Sequence, residues 1–181
     1  MPRNIELKVP FVLTDSRRET LRRLGARSSA ALVQTDTYFT CSSGRLKLRE
    51  IIETLPNGAV TNTAELIAYQ RADDIGFRGS DYTVSPVPNA ASMKAVLASA
   101  LGVRVVVRKR RELLLWENVR IHLDDVDGLG SFLEFEAVLN PSAEDPAADE
   151  AASQQRLVAL CDALAIDPAA TIAGSYSDML G

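Results

Sequence analysis

The feature that most constrains this chain is the alternation of charged and apolar side chains along its predicted strands. Side chains alternate between the two faces of a strand, so residues two apart share a face. Lys47 and Arg49, for example, alternate with Leu46 and Leu48. The same pattern recurs at Glu6 and Lys8; Glu65, Tyr69 and Arg71; Lys109 and Arg111; Arg120, His122 and Asp124; and Glu134 and Glu136. Each strand therefore has one apolar face and one charged face.

Two interpretations of these faces are open. For any single pair, the simpler one is a sheet whose polar face meets solvent. Taken together, however, the basic pairs and the acidic pair lie on separate strands, and like charges on one face repel each other. A bound polyanion would offset the basic strands, and divalent cations would offset the acidic one. If the sheet closed, the charged faces would point inward and would need such compensation.

The order of elements favours an antiparallel sheet or barrel in an α+β arrangement, within one domain spanning 1–181. Hairpin signals such as Pro56-Asn57-Gly58 join most successive strands. The predicted strands are 5–13, 30–40, 45–53, 63–71, 81–87, 103–116, 119–126 and 132–139.

Three helices are predicted from their capping residues. Ser16 and Glu19 form a candidate capping box for a helix that ends at Gly25, and Asn89 caps a helix that runs to Leu101. Asp145 caps the third helix, 146–165. The expected buried residues of the last two helices are Met93, Val96, Leu97 and Ala100, and Leu157, Leu160, Cys161 and Leu164.

Composition excludes several classes of protein. The formal net charge of −4 argues against a general nucleic-acid binder, which needs a basic surplus. No apolar stretch has the length of a membrane span, and the first residues do not resemble a secretory signal. Cys41 and Cys161 have no CxxC partner, which favours a cytoplasmic protein without a disulfide framework.

Six motifs, in order along the chain, resemble those of the CYTH family of triphosphate-handling barrels. The most specific is the stretch from His122 to Glu136, which is similar to the family's D-x-V-x-G-L-G-x-F-x-E-x-E segment at eight positions with the spacing intact. The other five are Asn4-Ile5-Glu6-Leu7-Lys8, Asp36-Thr37-Tyr38-Phe39, Leu46-Lys47-Leu48-Arg49, Tyr69 with Arg71, and Lys109-Arg110-Arg111. One position departs from the family, because Asn4 stands where its ExExK strand begins with Glu.

The resemblance implies a closed antiparallel eight-stranded β-barrel, the triphosphate tunnel, with helices packed outside. It implies that the phosphate oxygens are bound by Lys8, Lys47, Arg49, Arg71, Lys109 and Arg111. It implies that Mg²⁺ or Mn²⁺ is held by Glu6, Asp124, Glu134 and Glu136. The catalytic residues that it implies are Glu6, Lys8, Arg111 and Glu134. Homodimers are also compatible with this resemblance.

Three functions remain open from the sequence. We favour hydrolysis of a triphosphate, which could be inorganic triphosphate, thiamine triphosphate or ATP, because no adenine pocket is identifiable. The first alternative is a class IV adenylate cyclase that converts ATP to cyclic AMP and pyrophosphate. The second is a catalytically weak polyphosphate- or nucleotide-binding protein, for which Asn4 is the supporting feature.

Two smaller points bear on the site. His122, the only histidine, has no second histidine or cysteine nearby to complete a zinc site, so we interpret it as a hydrogen-bonded strand residue. The register around Arg108–Arg111 has an alternative, because a slip of one residue would turn Arg108 and Arg110 inward instead of Lys109 and Arg111.

Overall fold

The computed structural model describes residues 4–70, 78–79, 81–172 and 174–181. Within these residues the chain forms nine strands, four α-helices and one 3-10 turn. The strands are β1 Asn4–Pro10, β2 Arg27–Phe39, β3 Arg45–Thr54, β4 Val60–Gln70, β5 Arg78–Gly79, β6 Asp81–Pro86, β7 Val103–Trp116, β8 Val119–Val126 and β9 Gly130–Val138. The helices are α1 Asp15–Arg23, α2 Ala90–Leu101, α3 Pro146–Leu164 and α4 Tyr176–Leu180, and the 3-10 turn is Pro168–Ala170.

All strands belong to one antiparallel sheet, in the order β5-β1-β9-β8-β7-β2-β3-β4-β6. The two end strands, β5 and β6, follow each other in the sequence and are separated by residue 80 alone. The segment 78–86 therefore pairs first with β1 and then with β4, which returns the sheet on itself. Counted as one interrupted strand, β5 and β6 complete the eight-stranded antiparallel barrel that was predicted. In the described residues, no backbone hydrogen bonds pair β5 with β6.

The apolar faces of the strands point outward and are covered by helices. Phe135, Leu133 and Ile121 are completely buried against Leu157 and Leu160 of α3. A second cluster forms beneath α2 and contains Phe39, Leu48 and Val87. Because the hydrophobic core lies outside the sheet, the inner faces of the strands are free to carry polar and charged groups.

The described helices include no candidate that is both long and apolar enough to cross a membrane. Most of the predicted helix ends are confirmed: Asn89 caps α2 by accepting a hydrogen bond from the Ser92 amide, and Asp145 caps α3.

The predicted capping box at Ser16 and Glu19 is wrong. Thr14 is the N-cap of α1, since its hydroxyl accepts a hydrogen bond from the Arg17 amide. The Glu19 carboxylate instead binds Arg22 and Arg23, which lie one turn further along the same helix face. The helix thus starts two residues earlier than its sequence signature indicated.

The buried face of α2 is also only partly as predicted. Met93 and Leu97 pack onto the sheet, whereas Val96 is exposed and Ala100 is exposed as well. Ala90 and Ala98 complete this face, which is partly buried. Residues 90, 93, 97 and 98 lie on one side of a helix with 3.6 residues per turn, and 96 and 100 lie beside them rather than on that side.

Candidate active site

A cavity of about 590 Å³ lies inside the barrel and is lined by side chains from β1, β2, β3, β4, β6, β7, β8 and β9. The charged faces predicted from the sequence meet in it. Among the described residues of the predicted site, the cavity is lined by Glu6, Lys8, Lys47, Arg49, Lys109, Arg111, Glu134 and Glu136. Arg71 lies outside the described residues, and Asp124 is not among the described residues that line the cavity.

The strand registers explain why these side chains converge. Lys47 pairs with Tyr38, and Arg49 pairs with Asp36, on adjacent strands. Lys109 and Arg111 are buried, whereas the Arg110 side chain between them is 78% exposed. The structure therefore has the register that turns Lys109 and Arg111 inward, and the alternative with Arg108 and Arg110 inside is wrong.

Five cationic side chains of the cavity, which together we name the basic half, come from β1, β3 and β7. They are Lys8, Lys47, Arg49, Lys109 and Arg111. Asp36 of β2 holds two of these cations in place: Arg49 donates two hydrogen bonds of 2.7 Å to its carboxylate, and Lys47 Nζ lies 3.0 Å from Oδ2. Burial opposes the charge on Asp36, but Arg49 and Lys47 outweigh it and hold the carboxyl pKa well below its usual range.

Asp124 of β8 plays the corresponding part for Arg111. The guanidinium donates to both carboxylate oxygens, at 2.5 and 2.6 Å, and the Tyr176 hydroxyl donates a third hydrogen bond of 2.9 Å. Lys109 Nζ lies 3.8 Å from the same carboxylate. Asp124, predicted as a metal ligand, is thus engaged by cations and a hydroxyl and orients Arg111.

A second set of lining residues, which we name the acidic half, contains Glu6, Glu134 and Glu136. Glu134 accepts a hydrogen bond of 2.8 Å from Arg111 and lies 3.6 Å from Lys8 Nζ, so it joins the two halves. Burial opposes its charge, but Lys8, His122 and Arg111 outweigh that effect and hold the Glu134 pKa well below its usual range. The carboxylate is therefore ionised at neutral pH.

His122 lies between the two glutamates of β9. Its Nδ1 is 3.4 Å from Glu134 Oε2, and its Nε2 is 3.6 Å from Glu136 Oε2. The turn at residues 127–129 sets this register. Gly128 has φ +79° and Gly130 has φ +92°, backbone angles at which a residue with a side chain would be strained. Burial and the nearby Arg111 lower the His122 pKa, so the imidazole is neutral at pH 7. It is the hydrogen-bonded strand residue that was predicted, and it also lines the cavity.

The acidic half offers the oxygen donors that Mg²⁺ and Mn²⁺ prefer. Asn4 adds to them: its side-chain nitrogen donates to Glu136 Oε1, and its buried Oδ1 has no hydrogen-bond partner among the described residues. A buried amide oxygen without a partner is costly unless a cation or water satisfies it. No three acidic, histidine or cysteine side chains in the described residues are already gathered as a complete metal site. The donor chemistry fits a metal whose remaining ligands come from a bound substrate.

Sequence reasoning missed two residues that organise the site. Asp36 was recognised within a motif but given no role, although it lies two residues before Tyr38 on the same inward face and pairs with Arg49. Tyr176 lies in a segment for which no element was predicted. The spacing of Ser175 and Asp178, which form a capping box at the start of α4, is the signal that could have located this helix.

Comparison with known proteins agrees with this architecture. The CYTH domain family matches residues 2–164. The PH1012 protein of Pyrococcus horikoshii OT3 shares the fold at 18% identity and a TM-score of 0.70, with 97% of this chain and 98% of that chain covered. A candidate adenylate cyclase of Vibrio parahaemolyticus shares it at 22% identity and a TM-score of 0.70, over 98% of this chain and 97% of that one.

A third structure is more distant. HpAC1 of Hippeastrum, a candidate adenylyl cyclase described as having a dominant triphosphatase activity, shares 15% identity at a TM-score of 0.51, with 88% of each chain covered. No curated protein matches the chain. The family match covers most of the residues and all of the strands that build the charged cavity. The chain therefore belongs to the CYTH family.

Proposed function

We propose that the protein binds a triphosphate group in this cavity and hydrolyses it with the help of a divalent metal ion. The observation that carries the proposal is the basic half, in which five cations from three strands are paired with only three carboxylates of the described residues, those of Asp36, Asp124 and Glu134. Confined positive charge of this kind needs an anionic ligand. A linear polyanion could contact cations on β1, β3 and β7 at once.

The two arginines are oriented for phosphate before any ligand arrives. Asp36 and Asp124 each bind one guanidinium through a bidentate pair of hydrogen bonds. A guanidinium has five N–H donors in a fixed plane, more than one carboxylate accepts, and phosphate oxygens match the same fork geometry. Lys8, Lys47 and Lys109 would add point charges along the chain of phosphates.

The metal would be held by Glu6, Glu134 and Glu136, with Asn4 Oδ1 as a neutral donor. When bound, Mg²⁺ or Mn²⁺ supplies charge neutralisation on the phosphate oxygens and a bound water of lowered pKa. In this arrangement Asp124 acts as the residue that positions Arg111. Four catalytic candidates remain part of this proposal. Lys8 and Arg111 both contact Glu134, and Glu6 lines the same cavity, which supports a shared role for them.

Hydrolysis places one water on the terminal phosphorus, breaks the bond to the bridging oxygen and releases orthophosphate and the shortened phosphate chain. The ionised Glu134 carboxylate accepts a hydrogen bond from the attacking water, while Lys8 and Arg111 contact the transferred phosphoryl group. The remaining cations of the basic half stabilise charge on the leaving oxygen. The triphosphatase activity described for HpAC1 supports hydrolysis on this fold.

Cyclisation of ATP is the second candidate, and one observation favours it. Leu32, Leu113 and Leu115 form an apolar stretch of the cavity wall on β2 and β7, which an organic group of the substrate could contact. In that reaction the ribose 3′-hydroxyl attacks the α-phosphorus, and pyrophosphate leaves with the bond to the α-phosphorus broken.

The decisive experiment incubates purified protein with inorganic triphosphate, thiamine triphosphate or ATP, each with Mg²⁺ or Mn²⁺, and identifies the products. We expect orthophosphate from at least one of them. Cyclic AMP with pyrophosphate would instead establish the cyclase. Metal-linked binding without turnover would leave the alternative of a catalytically weak binding protein.

The site is tested with Glu134→Gln, which keeps the size of the side chain and removes its charge. We expect metal-dependent turnover to fall by roughly 100-fold or more, as for the loss of one group that acts on the developing charge. Glu144→Gln, at an exposed position between β9 and α3, is the matched control and should keep full activity. Full activity in Glu134→Gln would refute this assignment.

A further inference from the structure

The segment 166–181 lies beyond the family match, which ends at residue 164, yet it supplies side chains to the cavity. Ser175 and Tyr176, at the start of α4, line the cavity together with the strand residues. Tyr176 is only 5% exposed. The lining of the cavity therefore includes Tyr176, a residue that lies outside the family motifs.

Tyr176 contacts three charged residues of the site through two different parts of its side chain. Its hydroxyl donates a hydrogen bond of 2.9 Å to Asp124 Oδ2, the carboxylate that also binds Arg111. Its ring lies against two ammonium groups: Lys8 Nζ is 4.1 Å and Lys109 Nζ is 5.3 Å from the ring centroid. Cations at such distances are attracted to the electron-rich face of an aromatic ring.

These contacts need a fixed ring, and the surrounding segment provides one. The Ile172 amide donates a hydrogen bond of 2.9 Å to the carbonyl oxygen of Lys8 itself. On the other side of Tyr176, Asp178 forms a salt bridge of 2.9 Å with Arg45 at the start of β3. The ring also packs against Phe132, with the two centroids 5.1 Å apart. The segment is thus attached to β1, β3 and β9 around the tyrosine.

We propose that Tyr176 is a positioning residue of the triphosphate site. The ring holds the ammonium groups of Lys8 and Lys109, which would otherwise repel each other, close together on one side of the cavity. The hydroxyl fixes Asp124, and through Asp124 it fixes the orientation of Arg111. This inference rests on the proposed function, since it assigns Tyr176 to the binding of the same triphosphate.

The two parts of the side chain can be separated by substitution. Tyr176→Phe keeps the ring and removes the hydroxyl, so the Kd for inorganic triphosphate should stay within about threefold while kcat falls. One hydrogen bond to a charged group corresponds to roughly a 10- to 100-fold loss in kcat. Tyr176→Leu also removes the ring, and the Kd should rise by a further factor of roughly 30, as for a desolvated cation–π contact.

The experiment measures the Kd for inorganic triphosphate by calorimetry and phosphate release by steady-state kinetics, with melting temperature recorded for every variant. Met179→Ala, at an exposed position of the same helix, is the matched control and should behave as the wild type. The expected result is a loss of kcat in Tyr176→Phe with binding retained, and a loss of both in Tyr176→Leu.

Two outcomes would overturn the inference. In the first, both variants bind and turn over within twofold of the wild type. In the second, Tyr176→Phe and Tyr176→Leu cause equal losses that follow a lowered melting temperature, as a purely structural role would give. If Tyr176→Leu does not fold, Tyr176→Phe still tests the inference, because its kcat must fall while its Kd stays close to that of the wild type. Failure of the wild type to bind triphosphate would instead refute the proposed function, and this inference with it.

Discussion

At the scale of single residues, the pKa of Lys109 depends directly on the charges inside the cavity. Its side chain is 4% exposed, with Arg111 and Arg49 nearby. Burial and Arg111 lower the Lys109 pKa well below its usual range, and Asp124 only partly opposes them. A bound polyanion would stabilise the ammonium form and raise that pKa again. At a pH near or above the Lys109 pKa of the free protein, binding should therefore take up a proton. Affinity should increase as the pH falls through the interval between that pKa and the pKa of the complex.

The predicted proton uptake can be measured by calorimetry in buffers of different ionisation enthalpy. Lys109→Arg carries its charge at every accessible pH, so we expect its binding to take up fewer protons than that of the wild type. Protons taken up by the phosphate itself are common to both proteins and cancel in the comparison. Lys94→Arg, on α2 and paired with Glu50, is the control and should match the wild type. Equal uptake in Lys109→Arg and wild type would contradict the role given to Lys109.

Alternation along a strand was enough to predict which residues face inward, but it could not predict their partners. Lys109 and Arg111 follow from period two, once the family spacing fixes the register. The inward orientation of Asp36 follows from the same alternation, and β2 pairs this residue directly with Arg49. The role of Tyr176 could not be predicted in this way. It depends on where a segment far along the chain folds back, and no local pattern encodes that contact.

Between elements, Asp36 forms a buried electrostatic link that ties β2 to β3 inside the barrel. Asp36→Asn would leave Arg49 and Lys47 buried without their counter-charge. Removing one partner of a buried ion pair costs about 3–5 kcal/mol. We expect the free energy of unfolding at pH 7, measured by urea denaturation, to fall by that amount. Because the Asp36 pKa is lowered in the folded state, this contribution exists above its unfolded pKa and is lost as pH falls through the folded one.

The chain offers a matched control for this variant. Arg110 and Asp125 also link adjacent strands, β7 and β8, but their side chains are 78% and 61% exposed. Asp125→Asn should change the free energy of unfolding by less than about 1 kcal/mol, because solvent screens an exposed pair. Saturating triphosphate should also recover part of the loss in Asp36→Asn, since its charges replace those of Asp36. Equal effects of the two substitutions would show that Asp36 is not acting as a buried counter-ion.

Element types were predicted well, and the errors occurred where local signals compete. At α1, both Thr14 and Ser16 can cap a helix, and the chain uses Thr14 while Glu19 binds arginines instead of an amide. At α2, nearly every residue is small or apolar, so the pattern does not single out the face that packs on the sheet. The exposure of Val96 shows that packing against Phe39 and Leu48, rather than the local pattern, determines which side of α2 faces the sheet.

Across the whole molecule, composition conceals the property that defines the cavity. The formal net charge of −4 gives no sign of five cations gathered inside the barrel, because acidic residues outnumber basic ones over the chain as a whole. The return of the sheet through β5 and β6 was likewise invisible locally, as it requires one segment to pair with strands at opposite ends of the sheet. The family motifs supplied this global information, and the alternation of the strands explained it physically.

A ligand that contacts cations on β1, β3 and β7 at once should stabilise the whole barrel. With triphosphate at one hundred times its Kd, the free energy of unfolding should rise by about 2.7 kcal/mol. For a chain of this length, that corresponds to an increase in melting temperature of roughly 5–10 °C. Thermal unfolding followed by circular dichroism would measure it. Orthophosphate at the same concentration cannot bridge the three strands and should give a much smaller shift. An equal shift with orthophosphate would mean that the cavity binds anions without selecting a phosphate chain.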